Sequence, residues 1–470
     1  MTSLTSLEQL PTCLEQQRNA FIKNPYPSYK KRRENLLKLK ALLIDNQAEI
    51  AQALNDDFGN RCDTETIFVD ILTNVSQINF CLKKLKRWMA PERRSAGMLF
   101  LPARAEIHYQ PLGVVGIVCP WNYPIFLSIG PLTSALAAGN RAMIKMSEFT
   151  PATNQLMSKL LAEKFDPSEI AIVEGALEIS KQFVALKFDH ILFTGSINAG
   201  RSVLATAAEN LVPVTLELGG KSPCILAEDY PVKTFVRNVL TSKILNSGQT
   251  CVAPDTLYCH SSQLQNVISE LKLEYSKLYP KSTCDRDITM VINDNQWQRI
   301  QNLVEDAKDK GAELIPLIDY TDDGSRTLPL TLAINTNEDM LLSQQEIFGP
   351  ILPIILYQDI NDLIEEIQSS PRALALYLFT NNTDLQSQVL YQTHSGGVCI
   401  NDAAIHVGVD DLPFGGVGQS GMGSYRSEQG FKTFSHGKSV VIRGKINLTP
   451  LFGPPYRRWM HKILFKWFLR

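Results

Sequence analysis

The sequence predicts a parallel, doubly wound α/β fold. Short apolar runs alternate with amphipathic stretches from about residue 105 to about 210, the pattern of strands joined by crossover helices. The run at 114–119 is continuously apolar, as a strand covered on both faces requires. The alternation restarts beyond residue 220, which implies a second α/β half, and 470 residues are too many for one simple core.

Residues 28–56, "SYKKRRENLLKLKALLIDNQAEIAQALND", carry leucine and isoleucine at helical spacing among charges, and "SQINFCLKKLKRWM" at 76–89 does the same. "AEIHYQPLGVVGIVCPWNYP" at 105–124 reads as two strand pieces parted by Pro111, the second spanning Val114 to Cys119. The helical "FLSIGPLTSALAAGN", the strand "RAMIKM" and the helix "PATNQLMSKLLAEKF" follow. Next come the strands "IAIVEG" and "HILFTG" and a helix that starts at Ser196. In the second half, helices are expected near 232–246 and 262–278 and a strand at "ILPIILY", 351–357. No repeat or Gly/Ser linker divides the halves, so the boundary near 213–220 is soft.

Hydrophobic content of 44% and charged content of 20% describe an ordinary globular chain. A net charge of −2 leaves no basic surplus for neutralising phosphates and argues against nucleic acid. Nine scattered cysteines suggest free thiols in a reducing compartment, and neither CxxC nor HExxH supports a metal site. The N-terminus lacks the basic and apolar regions of a signal peptide, and no apolar run reaches the ~18 residues of a membrane span. The expected setting is the cytoplasm.

Several short stretches carry groups capable of chemistry. Cys251 in "NSGQTCVAPD" follows a glycine that permits close approach of a ligand, with polar Gln and Thr beside it; the alternative is a packing thiol. Glu217 in "TLELGGKSP" stands between leucines, so its pKa should rise toward that of a general base; the alternative is an outward acid on an edge strand. Asn122 in "CPWNYP" is held between prolines and aromatics, where its amide would suit a developing oxyanion if the segment does more than pack. "HILFTGSINAGR" runs from strand to helix with Ser196 as N-cap, a phosphate-binding geometry or a plain turn. Lys145 and Glu148 in "IKMSE" would reach ribose hydroxyls or form a solvated pair. "QEIFGP" and "PFGGVGQSGMG" are glycine turns with an acid and aromatics, and His406 is a lone base or a hydrogen-bonded loop histidine.

Together "PWNYP", "FTGS", "LELGGKSP", "GQTC", "EIFGP" and "PFGG" cover nearly the whole chain in an order that resembles the NAD(P)-dependent aldehyde dehydrogenase superfamily. "GQTCVAPD" and the cationic tail resemble its class-3 branch, which includes fatty-aldehyde and coniferyl-aldehyde dehydrogenases. The resemblance implies a Rossmann-like cofactor domain (1–91 and 113–219) and an α/β catalytic domain (220–424). It also implies bridging segments (92–112 and 425–445) that pair two copies into a homodimer. By the same resemblance Cys251 is the nucleophile and Glu217 the base, with Asn122 and the Cys251 N–H as the oxyanion hole. Lys145 and Glu148 would hold the adenine ribose, Gly195 and Ser196 the pyrophosphate, Glu346 the nicotinamide ribose, and Phe348 would pack near the nicotinamide. Met146 departs from the family's proline and leaves the choice of NAD or NADP open.

The implied reaction is oxidation of an aldehyde, long-chain aliphatic or aromatic, to its acid through a thioester. A coenzyme-A-acylating relative would lack the base at Glu217, a cysteine hydrolase would need a histidine near the thiol, and a non-catalytic scaffold would have lost Cys251 or Glu217. The tail, 446–470, ends in "RRWMHKILFKWFLR", with Arg458, Lys462, Lys466 and Arg470 on one helical stripe and aromatics beside it. It is expected either to lie weakly on the inner face of a membrane or to dock on protein.

Overall fold

A computed structural model describes residues 4–280, 287–320, 324–447 and 449–469, without the side chain of Leu451. A six-stranded sheet has the spatial order Gly421–Met422, Val214–Leu218, His190–Gly195, Val114–Val118, Arg141–Lys145, Ile170–Val173. All its pairs are parallel except the two-residue outer strand, where Gly421 faces Glu217. A seven-stranded sheet runs Glu313–Pro316, Thr331–Ile334, Ile351–Tyr357, Thr256–His260, Pro223–Leu226, Ala375–Phe379, Gly397–Ile400, parallel but for its first pair. A third sheet joins Glu92–Arg94, Arg104–Pro111 and Ser435–Ile442 in antiparallel fashion, and the helix Ser427–Thr433 leads into its last strand.

The central strands are covered on both faces, and Val114, Val115, Ile117, Ile144, Ile191 and Leu192 are wholly inaccessible to solvent. The helix Pro124–Ala138 is buried along its full length, which explains its almost purely apolar sequence. Its C-cap, Gly139, takes φ 94°.

The stretch expected as one helix at 28–56 is two, Tyr29–Asp45 and Gln47–Phe58, parted at Asn46. The Asn46 amide donates to the Leu42 carbonyl at 2.7 Å and caps the first helix, a local alternative that Asn offers the backbone. Between Asp63 and Trp88 the chain is helical throughout, with one π-helical turn at Ile67–Leu72.

The tail helix spans Trp459–Phe468, with Arg458 as its N-cap and Arg470 outside the described residues. Its apolar side is not uniformly packed. His461 is buried and Met460 and Leu464 are half-buried, whereas Trp459 and Trp467 are 70% and 73% exposed.

Gly421 has φ 144°, and a Cβ there would run into the Leu216 carbonyl. Gly421→Ala is therefore expected to destabilise the protein by ~2 kcal/mol or more, read as a lower urea midpoint. An unchanged midpoint would contradict this account of the outer strand.

Candidate active site

Three turns converge where strands of the two large sheets end. The first, Cys119–Tyr123, lies between the strand Val114–Val118 and the helix Pro124–Ala138. The Asn122 carbonyl accepts Arg61 Nη1 at 2.7 Å and Asn246 Nδ2 at 2.9 Å, while Asn122 Nδ2 donates to the Gln249 carbonyl at 3.0 Å. One Nδ2 hydrogen of Asn122 remains for another acceptor.

The second turn precedes Cys251. Asn246, Ser247 and Gly248 take φ of 51°, 52° and 74°, a left-handed run that non-glycine residues adopt only where their surroundings impose it. The Asn246 N–H donates to Glu65 Oε1 at 2.7 Å, Ser247 Oγ donates to the Thr289 carbonyl, and a Cβ on Gly248 would collide with the Gly349 carbonyl. The buried Gln249 side chain donates to the Asn246 and Met290 carbonyls and accepts the Ile292 N–H. Cys251 emerges from this frame half-buried.

The third turn follows the strand Val214–Leu218. Glu217 is buried, and neither carboxylate oxygen has a hydrogen-bond partner among the described residues. Burial pushes its pKa well above the usual carboxylate range. A Cβ on Gly219 would overlap the Glu346 carboxylate, so the glycine admits that side chain. Burial, then the charge of Asp255, lifts Glu346 to about 8 against the Gly220 N–H, Arg299 and Lys221. Burial and the charges of Glu346 and Glu217 push the Cys251 thiol up to about 12. Thiol and acids thus form one electrostatic unit in which the free thiolate is disfavoured.

The Glu346–Phe348 segment is clamped by residues that sequence reasoning missed. Arg299 donates to the carbonyls of Glu346, Ile347 and Phe348 at 3.3, 2.7 and 3.3 Å. Lys221 pairs with Asp255 and donates to the carbonyls of Leu342 and Gln345, while Asp255 accepts the Ile347 N–H at 2.9 Å. Phe348 lies edge-on to Trp121 with ring centroids 5.4 Å apart.

In the six-stranded sheet the chain leaves Val114–Val118 toward Arg141–Lys145 on one side and later returns to His190–Gly195 on the other. Such a switch opens a crevice beyond the carboxyl ends of the strands. Lys145, Gly195 and Ser196 stand at its mouth. Lys145 is buried, its ammonium donating to the Met146 carbonyl at 2.6 Å with Glu148 at 3.9 Å, and burial lowers its pKa. A solvated pair is therefore the wrong description of Lys145, although Glu148 itself is exposed. Ser196 Oγ accepts the Ala199 N–H and caps the helix Ile197–Ala208, as expected. A buried ammonium with donors to spare and a helix N-terminus facing the same crevice fit a dinucleotide's ribose and phosphates.

His406 packs on Tyr377, whose hydroxyl donates to the Val252 carbonyl next to Cys251. The His406 Nδ1 is 3.2 Å from Cys399 Sγ, its ring also packs near Phe414, and burial lowers its pKa to about 4. Among the missed residues Asn246, Gln249 and Lys221 sit inside the quoted motifs. Arg299 belongs to an amphipathic helix, Asp294–Asp309, and carries no signal that separates it from surface arginines.

The model of the aldehyde dehydrogenase family matches residues 3–440. The chain is 44% identical over 468 residues to a probable coniferyl aldehyde dehydrogenase of Pseudomonas aeruginosa, covering 100% of this chain and 98% of the relative. Its fold superposes on the substrate-bound state of Staphylococcus aureus AldH with a TM-score of 0.92 and 33% identity, over 98% of this chain and 99% of that one. An NAD+ complex of an aldehyde dehydrogenase from Bacillus cereus matches with a TM-score of 0.84 and 25% identity, over 93% and 89% of the two chains.

Alkylation of Cys251 by iodoacetamide, in protein free of nucleotide, is expected to accelerate through pH 9 without a plateau, because the thiol sits near 12. Glu346→Gln should speed it at fixed pH by removing a neighbouring negative charge. A plateau below pH 8 would contradict the electrostatics described.

Proposed function

This chain belongs to the aldehyde dehydrogenase family, and on that premise we propose that Cys251, Glu217 and Asn122 turn an aldehyde into its acid through a covalent thioester. The observation that carries the reading is Glu217: a buried carboxyl with no partner among the described residues, close enough for its charge to raise the pKa of Cys251.

Because burial keeps the thiol protonated, its proton must pass to solvent as sulfur adds to the aldehyde carbon. The new C–S bond leaves an oxyanion, stabilised by the spare Nδ2 hydrogen of Asn122 and the Cys251 N–H. When bound, the nicotinamide supplies the two-electron acceptor that converts the thiohemiacetal into a thioester. Glu217, its pKa raised by burial, then takes a proton from water, whose oxygen attacks the thioester carbon; as the C–S bond breaks the sulfur recovers that proton and the acid leaves.

Lys145 and Glu148 would hold the adenine ribose, and the Glu148 carboxylate would repel a 2′-phosphate, favouring NAD over NADP. Gly195 and Ser196 would lie by the pyrophosphate, Glu346 would hold the nicotinamide ribose, and Phe348 would pack near the ring. The substrate class we propose is aromatic, of coniferyl type, on the likeness to the Pseudomonas relative. Two copies would pair through the three-stranded sheet, in a cytoplasmic dimer.

For the tail we propose peripheral contact with an anionic membrane surface. Among the described residues no helix is long and apolar enough to cross a membrane. The ten-residue tail helix is ~15 Å long against a ~30 Å hydrocarbon core. Trp459, Ile463 and Trp467 form an exposed row beside Lys462 and Lys466, which suits the interface between headgroups and acyl chains.

Cys251→Ala is expected to abolish NADH formation from coniferaldehyde and NAD. Glu217→Gln should still give a first burst of NADH while steady turnover falls by ~10²-fold or more. Substantial activity in the first variant, or turnover unaffected in the second, would overturn the assignment. Full-length protein should co-sediment with phosphatidylserine vesicles at low salt and a chain ending at Pro454 should not; equal sedimentation would leave the helix docked on protein.

A further inference from the structure

The residue that grips the Asn122 carbonyl comes from a distant part of the chain. The Arg61 and Asp70 side chains are both 0% exposed, with Nη2 and Oδ2 2.7 Å apart. A buried guanidinium and carboxylate are costly to desolvate, and a hydrophobic pair of similar volume would often hold a fold as well or better. What the pair does beyond packing is visible in its other bonds. Arg61 Nη1 donates to the Asn122 carbonyl at 2.7 Å, and Asp70 Oδ1 accepts the Phe126 N–H at 2.9 Å. Asp70 lies on the π-helical turn Ile67–Leu72, a widened geometry common at functional sites.

The guanidinium also sits 4.8 Å from the ring centroids of Phe58 and Tyr123. The Tyr123 hydroxyl lies 2.9 Å from Thr250 Oγ1, one residue before Cys251. Glu65, four residues after Arg61, accepts the N–H of Asn246 in the left-handed turn. One short segment thus holds both turns, one bearing Asn122 and the other leading to Cys251. Arg61 Nε has no partner among the described residues, so the pair is spent on position and not on complete hydrogen bonding.

We infer that Arg61, neutralised by Asp70, is a positioning residue for the oxyanion site: it fixes the Asn122 peptide so that the Asn122 amide and the Cys251 N–H converge on one oxygen. The inference rests on the proposed roles of Asn122 and Cys251. Arg61 touches neither substrate nor the reacting atoms; it acts through Asn122.

The test is a double-mutant cycle on the full chain, read as the first-turnover rate of NADH formation from coniferaldehyde and NAD. Arg61→Met combined with Asp70→Asn removes both charges and keeps an acceptor for the Phe126 N–H. It should slow the first turnover by ~10–100-fold, short of the ~10²–10³-fold expected for losing an oxyanion donor outright. The loss should appear in kcat with KM little changed, and iodoacetamide labelling of Cys251 should stay within about threefold of wild type, since the thiol itself is not moved. In an Asn122→Ala background the same pair of substitutions should cost less than about threefold. Equal losses in both backgrounds, or an unaltered first turnover, would overturn the inference alone. If Asn122→Ala leaves the first turnover unchanged, the inference falls together with the role of Asn122. Should the double substitution fail to fold, Arg61→Lys, which keeps the charge but loses the planar fork, decides by the same cycle.

Discussion

The hydrogen bond from the Asn122 amide to the Gln249 carbonyl, 3.0 Å long, joins a turn of the six-stranded sheet to a turn that feeds the seven-stranded one. Neither turn has regular secondary structure to hold it, and each depends on side chains that arrive from elsewhere. Asn246 bonds to both carbonyls, and Gln249 fills the space behind with its side-chain bonds satisfied at both ends. The backbone before Cys251 is left-handed for three residues, a conformation of order 1–3 kcal/mol per non-glycine residue when unsupported. That expense is the signature of a site whose geometry matters more than its local stability.

Electrostatics follows from the same convergence. Burial raises Glu217, Glu346 and Cys251 together, and the negative charges of the two acids make the thiolate harder still to form. A free thiolate resting in such a pocket would be poorly stabilised. A thiol that surrenders its proton only as it bonds to carbon is better matched to these surroundings, because the charge passes to an oxygen that hydrogen-bond donors can face. Arg299 and Lys221 hold the Glu346 loop by its carbonyls, so their charges moderate this cluster without standing beside the sulfur.

Much of this was legible in the sequence. The strands at His190–Gly195 and Ile351–Tyr357 match their expected bounds, because buried parallel strands are uninterrupted apolar runs with sharp polar ends. The burial of Glu217 was legible from its leucine neighbours; that it is not on an edge was not, since the strand covering it is only Gly421–Met422, too short to show a pattern. The break at Asn46 depends on one capping amide inside otherwise helical periodicity. Arg61 and Asp70 were invisible for a different reason: nothing in "NRCDTETIFVD" separates them from solvated charges, and only tertiary packing turns them inward. Lys145 shows the same effect, a charged residue at the end of a strand whose burial is decided by the helix and strand beside it.

The central claim is that Cys251 carries the acyl group between oxidation and hydrolysis. Mass spectrometry of peptides from the Glu217→Gln variant, quenched just after its first turnover with coniferaldehyde and NAD, tests it most directly. The account predicts that the peptide containing Cys251 gains the mass of the acyl group in place of the thiol proton, and that hydroxylamine removes it. An unmodified Cys251 peptide after NADH has formed, or the acyl group on another residue, would contradict it.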